Sequence, residues 1–159
     1  MLLYNRRKFI FLSLMAGACS FSPVYKSDVG PGFLKGKIEL PTPINREEYI
    51  LYSKLEEHFG QQEKPMFNLS VSYNITEKGL GSLGSITRYN LIGNASFKLV
   101  NISTGALIIS DNLKAFTSHS ASSQTLATET AKRAARDRLM VSIADQVSTS
   151  IIMNYNTSL

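Results

Sequence analysis

The chain has 159 residues, a formal net charge of +5, two histidines, one cysteine and no tryptophan. A single cysteine excludes an intramolecular disulfide framework, and with two distant histidines it makes no zinc-type ligand set, so neither metal nor cofactor is expected. Three of the five net positive charges, Arg6, Arg7 and Lys8, sit at the extreme N-terminus, and the +2 left on the remainder is too small for a protein held to nucleic acid by many phosphate contacts.

Arg6-Arg7-Lys8 leads into the apolar run Phe9-Ile10-Phe11-Leu12-Ser13-Leu14-Met15-Ala16 and then into small residues up to Cys19. This is the layout of a secretory signal. The run falls well short of the roughly 20 apolar residues that a spanning helix needs. Ala16-Gly17-Ala18-Cys19 resembles a lipobox, in which cleavage falls directly before an acylated cysteine; Ala16 stands where that pattern usually has Leu, Val or Ile. The expectation is that residues 1–18 are a signal peptide and that Cys19 carries the lipid tethering the chain to a membrane, each buried CH₂ adding ~0.8 kcal/mol. The alternatives are an ordinary cleaved signal with a chance cysteine nearby, or a cytosolic chain with an apolar start. Asn5-Arg6-Arg7-Lys8-Phe9-Ile10 is similar to a twin-arginine signal, but the general secretory route also uses basic leaders, so both routes stay open.

Loss of residues 1–18 leaves 141, a length for one domain with one core. Residues 19–32, which include Val29-Gly30-Pro31-Gly32, read as the lipidated N-terminus and a linker, and residues 33–159 as the folded domain. Gly36-Lys37-Ile38-Glu39-Leu40 is a short strand ended by Pro41 and Pro43. Asn45-Arg46-Glu47-Glu48 places a cap and a carboxylate at the spacing of a capping box, so a helix starts there. Leu51, Leu55 and Phe59, with Tyr52, give it one apolar face, Glu47, Glu48, Lys54, Glu56 and Glu57 supply the wet side, and Gly60 ends it.

Phe67, Leu69, Val71, Tyr73 and Ile75 alternate with polar residues, the period of a strand with one buried face. Gly79, Gly81 and Gly84 then read as a turn. In a second long strand Tyr89, Leu91, Ala95, Phe97 and Leu99 face one way, and Arg88, Asn90, Asn94, Ser96 and Lys98 the other. Asn101-Ile102-Ser103-Thr104-Gly105 is a turn into a third strand at residues 106–118, with a bulge placed near Asp111-Asn112. Ser118-His119-Ser120-Ala121-Ser122-Ser123-Gln124 reads as a polar loop, and residues 126–153 as a final helix, with 154–159 fraying. That helix carries a small face, Ala127, Ala131, Ala134 and Ala135, and a bulkier one, Leu139, Met140, Ile143, Val147 and Ile151, so it bends or packs its two halves on different surfaces. The fold class is α+β: order strand-helix-strand-strand-strand-helix, with two helices on one face of a four-stranded, mostly antiparallel sheet and the other face polar.

No constellation for catalysis emerges, so the chain does not read as an enzyme. His58, at the end of the first helix, and His119, in the polar loop, read as surface histidines, and no G-x-S-x-G pattern encloses the serines. Lys132, Arg133, Arg136 and Arg138 form a basic cluster. They face anionic lipid or an acidic partner, or they are a solvated face with Glu129-Arg133 and Arg133-Asp137 as i,i+4 pairs. Arg88 and Lys98, with Lys114 from the next strand, lie on the open side of the sheet, where they meet phosphates or simply face water.

Four segments together resemble the LPS-assembly lipoprotein family LptE in its alphaproteobacterial form. Cys19-Ser20-Phe21-Ser22-Pro23-Val24-Tyr25 is similar to its C-G-F-x-P-[LV]-Y start, with Ser20 in place of Gly. Asn45-Arg46 and the helix bearing Leu55 resemble its first helix. Ile86-Thr87-Arg88-Tyr89 through Ala95-Ser96-Phe97-Lys98-Leu99 looks like its R-x-x-[LI]-x-[GA]-x-A-x-[FY]-x-L strand. Ala127-Thr128-Glu129-Thr130-Ala131-Lys132-Arg133-Ala134 and Ile143-Ala144-Asp145-Gln146-Val147 are similar to its last helix. The resemblance implies a non-enzymatic lipoprotein of the outer membrane that plugs the LptD β-barrel, helping it assemble and deliver lipopolysaccharide, with basic side chains touching lipid A phosphates. No motif carries the family's contact residues onto this chain; Arg88, Lys98 and Lys114 are the candidate contacts to lipopolysaccharide or partner by their place on the open side of the sheet. Ser20 in the place after the lipidated cysteine agrees with that destination where sorting follows the enteric type. The alternative is a lipoprotein accessory of another envelope machine, for barrel insertion or as a secretin pilot.

Overall fold

The computed structural model describes residues 31–82, 85–121 and 124–157. Pro31–Leu34 forms one 3₁₀ turn that buries Leu34 and leads into β1 (Ile38–Glu39). Helix α1 (Arg46–Phe59) opens on Asn45, whose side-chain oxygen accepts from the Glu48 N–H at 2.8 Å. The Glu48 carboxylate accepts in turn from the Ile44 N–H at 2.7 Å, one residue before the cap itself, so two otherwise unpaired donors are satisfied. Gly60, at φ 76°, donates to the Glu56 carbonyl and ends the helix, a backbone angle that glycine reaches without Cβ strain.

Three long strands follow, β2 (Phe67–Ser82), β3 (Ser85–Asn101) and β4 (Leu107–Ser120), paired as an antiparallel meander. β1 adds to β2 in parallel, giving the sheet order β1-β2-β3-β4. The turn between β3 and β4 is held by the Asn101 side chain, which accepts from the N–H groups of Ser103 and Thr104. Helix α2 (Thr125–Thr157) closes the domain.

Both helices cover the same side of the sheet. Leu51, Leu55 and Phe59 of α1, Leu69, Leu91, Phe97 and Leu99 of the strands, and Leu139, Met140, Ile143, Val147 and Ile151 of α2 form one buried cluster. α2 lies close on β3 at Gly93, where an added Cβ would stand 3.1 Å from Ile143 Cδ1 and 3.2 Å from Leu139 Cδ2. Ion pairs fasten the two helices to each other, Arg46 to Asp137 at 2.8 Å and Arg136 to Glu47 at 3.1 Å, and a hydrogen bond joins His58 to Asp145 at 2.8 Å.

The α+β arrangement predicted from periodicity is the one observed, with several local corrections. Gly79 and Gly81 lie inside β2, not in a turn, because cross-strand pairing carries the ladder through them; Gly84 lies outside the described residues. β4 runs through Ser118, His119 and Ser120, and its register is continuous across Asp111-Asn112; the irregularity falls instead at Leu99/Val100. Asp137 pairs with Arg46 across the helix seam and not with Arg133. Of the alanines predicted to form a packing face on α2, only Ala135 is buried, and it simply extends the Leu139-Ile143-Val147-Ile151 stripe. The helix also continues past Met153 to Thr157, where Tyr155 stacks on Phe33 with ring centroids 5.9 Å apart.

Candidate functional site

Strand alternation decides which way each charged side chain of the long strands points. Lys78, Arg88, Lys98 and Lys114 occupy positions facing away from the helices, whereas Glu77 and Asp111 face toward them. These six are the charged residues of β2, β3 and β4. Across the three long strands charge is therefore sorted by sign, with cations on the open side and carboxylates on the helix side; on the short β1, Glu39 shares the open side, where it accepts from the Asn68 amide at 3.4 Å.

The sequence-predicted trio Arg88, Lys98 and Lys114 does share one face, and all three side chains are exposed. They do not converge. Lys114 stands opposite Asn94 and Lys98 opposite Ser70 and Ser110. At about 3.3 Å per residue, Lys114 lies roughly 20 Å and Lys98 roughly 33 Å along β3 from Arg88. Lys78, opposite Asn90, is a diagonal neighbour of Arg88 at about 7–8 Å between the two strands' positions.

Between the cations the face is built of short polar side chains and one apolar island. Ser72, Asn74, Asn94, Ser96, Asn112 and Lys114 line a shallow depression of about 470 Å³. Phe116, 61% exposed, pairs across the strands with half-buried Ile92.

The covered face has its own polar group at the end near Ser120. His119 is 5% exposed, its ring stacks on Tyr89 at 5.2 Å, and its Nε2 lies 3.4 Å from Glu77 Oε1. Lys132 of α2 reaches the other carboxylate oxygen of Glu77 at 2.7 Å. Burial pushes the Glu77 carboxyl up, but the hydrogen bond and charge of Lys132, helped by His119, outweigh it and hold the group below the usual carboxylate range. Asp111 on the same side accepts from the Ser150 hydroxyl at 2.9 Å.

Both histidines thus depart from the surface role predicted for them. His58 is half-buried against Asp145, and His119 belongs to a strand because its polar neighbours Ser118 and Ser120 are its alternation partners and not a loop. The contacts of His119 among the described residues are a ring, a carboxylate and a backbone carbonyl oxygen, with no serine hydroxyl in the nucleophile's place. No group of three or more His, Cys, Asp or Glu side chains among the described residues is placed to hold a metal. None of the described helices is long and apolar enough to cross a membrane. Cys19 lies outside the described residues.

Lys78, Glu77, Ile92 and Phe116 were not singled out from the sequence. Lys78 was hidden by the glycines that follow it, although it continues the alternation Asn74, Thr76. Phe116 was hidden because an exposed aromatic in a half-buried strand is naturally assigned to the core.

No curated protein matches the chain by sequence. Among solved structures, a lipoprotein of Caulobacter crescentus CB15 superimposes with a TM-score of 0.62 at 17% identity, covering 74% of this chain and 89% of its own. A minor lipoprotein of Acinetobacter baumannii gives 0.55 at 22% identity, covering 74% and 90%. Rare lipoprotein B of Shewanella oneidensis gives 0.54 at 11%, covering 72% and 91%. At these identities they share the fold. The family model for LptE, lipopolysaccharide-assembly, matches residues 37–151, a span that holds all four strands, α1 and the whole buried stripe of α2. The chain belongs to the LptE family of lipopolysaccharide assembly.

Proposed function

We propose that this protein is a lipoprotein of the outer membrane, anchored through Cys19, that forms a complex with the LptD β-barrel, occupies its lumen, and assists both barrel assembly and delivery of lipopolysaccharide to the cell surface. The observation that carries this reading is the family match over residues 37–151. The family is one of accessory lipoproteins and not of enzymes. A domain that spends its buried groups on its own core, and leaves one whole sheet face open, suits a subunit whose work is done by surface. Arg88, Lys98 and Lys114 are the residues assigned to contact with the barrel or with lipopolysaccharide.

The test is affinity purification of the full chain from solubilised membranes. LptD is expected in stoichiometric amount, and depletion of the protein is expected to reduce surface lipopolysaccharide. Recovery of a different envelope machine in place of LptD, or normal surface lipopolysaccharide after depletion, would sink the reading. A Cys19→Ser variant is expected to lose lipid labelling and fractionate away from membranes; lipid labelling that persists rules out Cys19 as the anchor.

A further inference from the structure

We infer that the open face of β2, β3 and β4 is a docking face for an acidic protein wall with an apolar recess; resting on the function proposed above, that wall is part of the barrel lumen. Three observations carry it. The first is the sorting of charge on the three long strands: Lys78, Arg88, Lys98 and Lys114 all point to the open side, while Glu77 and exposed Asp111 lie on the helix side, paired with Lys132, His119 and Ser150; the one carboxylate on the open side of the sheet among the described residues, Glu39, sits at its β1 edge against Asn68. An ordinary solvated face mixes the two signs evenly, and a face dominated by one sign is complementary to a surface of the other.

The second is spread. A single lipid headgroup or free phosphate is gripped by cations that converge on it; only Lys78 and Arg88 are diagonal neighbours, and the four together span roughly 33 Å of strand, which matches an extended wall better than a compact anion. The ladder of Ser72, Asn74, Asn94, Ser96 and Asn112 between them offers donors and acceptors on short side chains, so a partner backbone can come close.

The third is Phe116, 61% exposed opposite Ile92 in the midst of this polar ladder. Aromatic residues ringed by polar groups are the usual anchors of protein interfaces. The seam between the helices differs: charges there meet in the pairs Arg46–Asp137 and Arg136–Glu47, and Asp145 is hydrogen-bonded to His58.

The experiment co-expresses the full chain with LptD and measures barrel recovered on the tagged protein. The variant Lys98→Glu, Lys114→Glu, Phe116→Ser is expected to recover at least tenfold less barrel, while Arg133→Glu on α2 recovers as much as wild type. Unfolding midpoints of the purified domains check folding, and the milder pair Lys98→Ala and Lys114→Ala, with a smaller loss, serves if the triple variant does not fold. In parallel, each protein is tested on phosphatidylcholine vesicles containing one third phosphatidylglycerol, and by gel filtration. Undiminished barrel recovery by the folded variants overturns the inference. So does loss of vesicle binding with barrel recovery intact, which would make the face a lipid site, or a wild-type dimer dispersed by the variants, which would make it a self-association face. Failure of the wild-type chain to recover any barrel sinks the proposed function itself, and the docking partner with it.

Discussion

The two faces of β2, β3 and β4 share one backbone and one twist, yet they hold opposite kinds of chemistry. On the helix side Leu69, Leu91, Phe97 and Leu99 are fully buried, and the charged groups present, Glu77 and Asp111, have hydrogen-bonding partners. On the other side the same strands present serines, asparagines and four cations to the outside. Alternating positions in one stretch of sequence therefore answer to different demands. One set must fold the domain, and the other is free to suit whatever lies beyond it.

The contrast breaks hardest on the covered side. Phe97 sits 1% exposed between Val71 and Asp111 in the sheet register, beneath the helix layer. Phe97→Ala is expected to cost about 3–5 kcal/mol, from lost burial and from the cavity left behind. Urea unfolding monitored by circular dichroism measures it, and a loss below about 1 kcal/mol would mean that this face is not the core. Gly93→Val tests the same face by adding atoms. Its new side chain meets Ile143 and Leu139 where a Cβ alone already stands 3.1 to 3.3 Å away. Overpacking of this kind costs about 1–3 kcal/mol, and an unchanged unfolding midpoint would show that α2 is free to lift off β3.

How much of this was readable beforehand follows from where each signal lies. The Phe67-to-Ile75 alternation and the Asn45-to-Glu48 cap are local patterns, and both elements stand where those patterns put them. Glu77, His119 and Lys132 are separated by 42 residues for the first pair and come from three different elements, so no spacing along the chain announces their meeting. Serines around His119 pointed to a loop, because Ser is common in turns, but on a half-exposed strand a small polar residue at every second position is equally at home. The same ambiguity hid the sorting of charge on the sheet. Arg88 and Lys98 were placed on the polar side of one strand with Lys114 from the next, whereas the sorting of cations from carboxylates on the three long strands shows only when the register of all three is known.

Glu77→Gln sharpens the contrast at the polar end of the covered face. The carboxyl is depressed despite its burial, so it contributes stability above its ordinary value of about 4.5 and loses that contribution as pH falls through its depressed folded value. Near neutral pH, Glu77→Gln is expected to be less stable by about 1–2 kcal/mol, since Lys132 and buried His119 lose a charged partner. The gap between variant and wild type should close as pH falls through the carboxylate range. Unfolding at a series of pH values measures it, and a gap that stays constant would mean that Glu77 acts by packing and not by charge.

The smallest effect belongs to the open face, and its smallness is what matters. Lys98 and Lys114 lie about 13 Å apart along the strands, beyond the Debye length of about 8 Å at physiological salt, so their repulsion is screened and the fold keeps both at little expense. Lys98→Ser with Lys114→Ser should shift stability of the isolated domain by no more than about 0.5 kcal/mol at that salt. Near 0.01 M salt, where the Debye length reaches about 30 Å, the same pair of changes should make the domain slightly more stable than wild type, because four like charges then feel one another. A loss of more than about 1 kcal/mol at either salt would show that these lysines serve the fold itself, and the open face could no longer be treated as surface held in reserve for a partner.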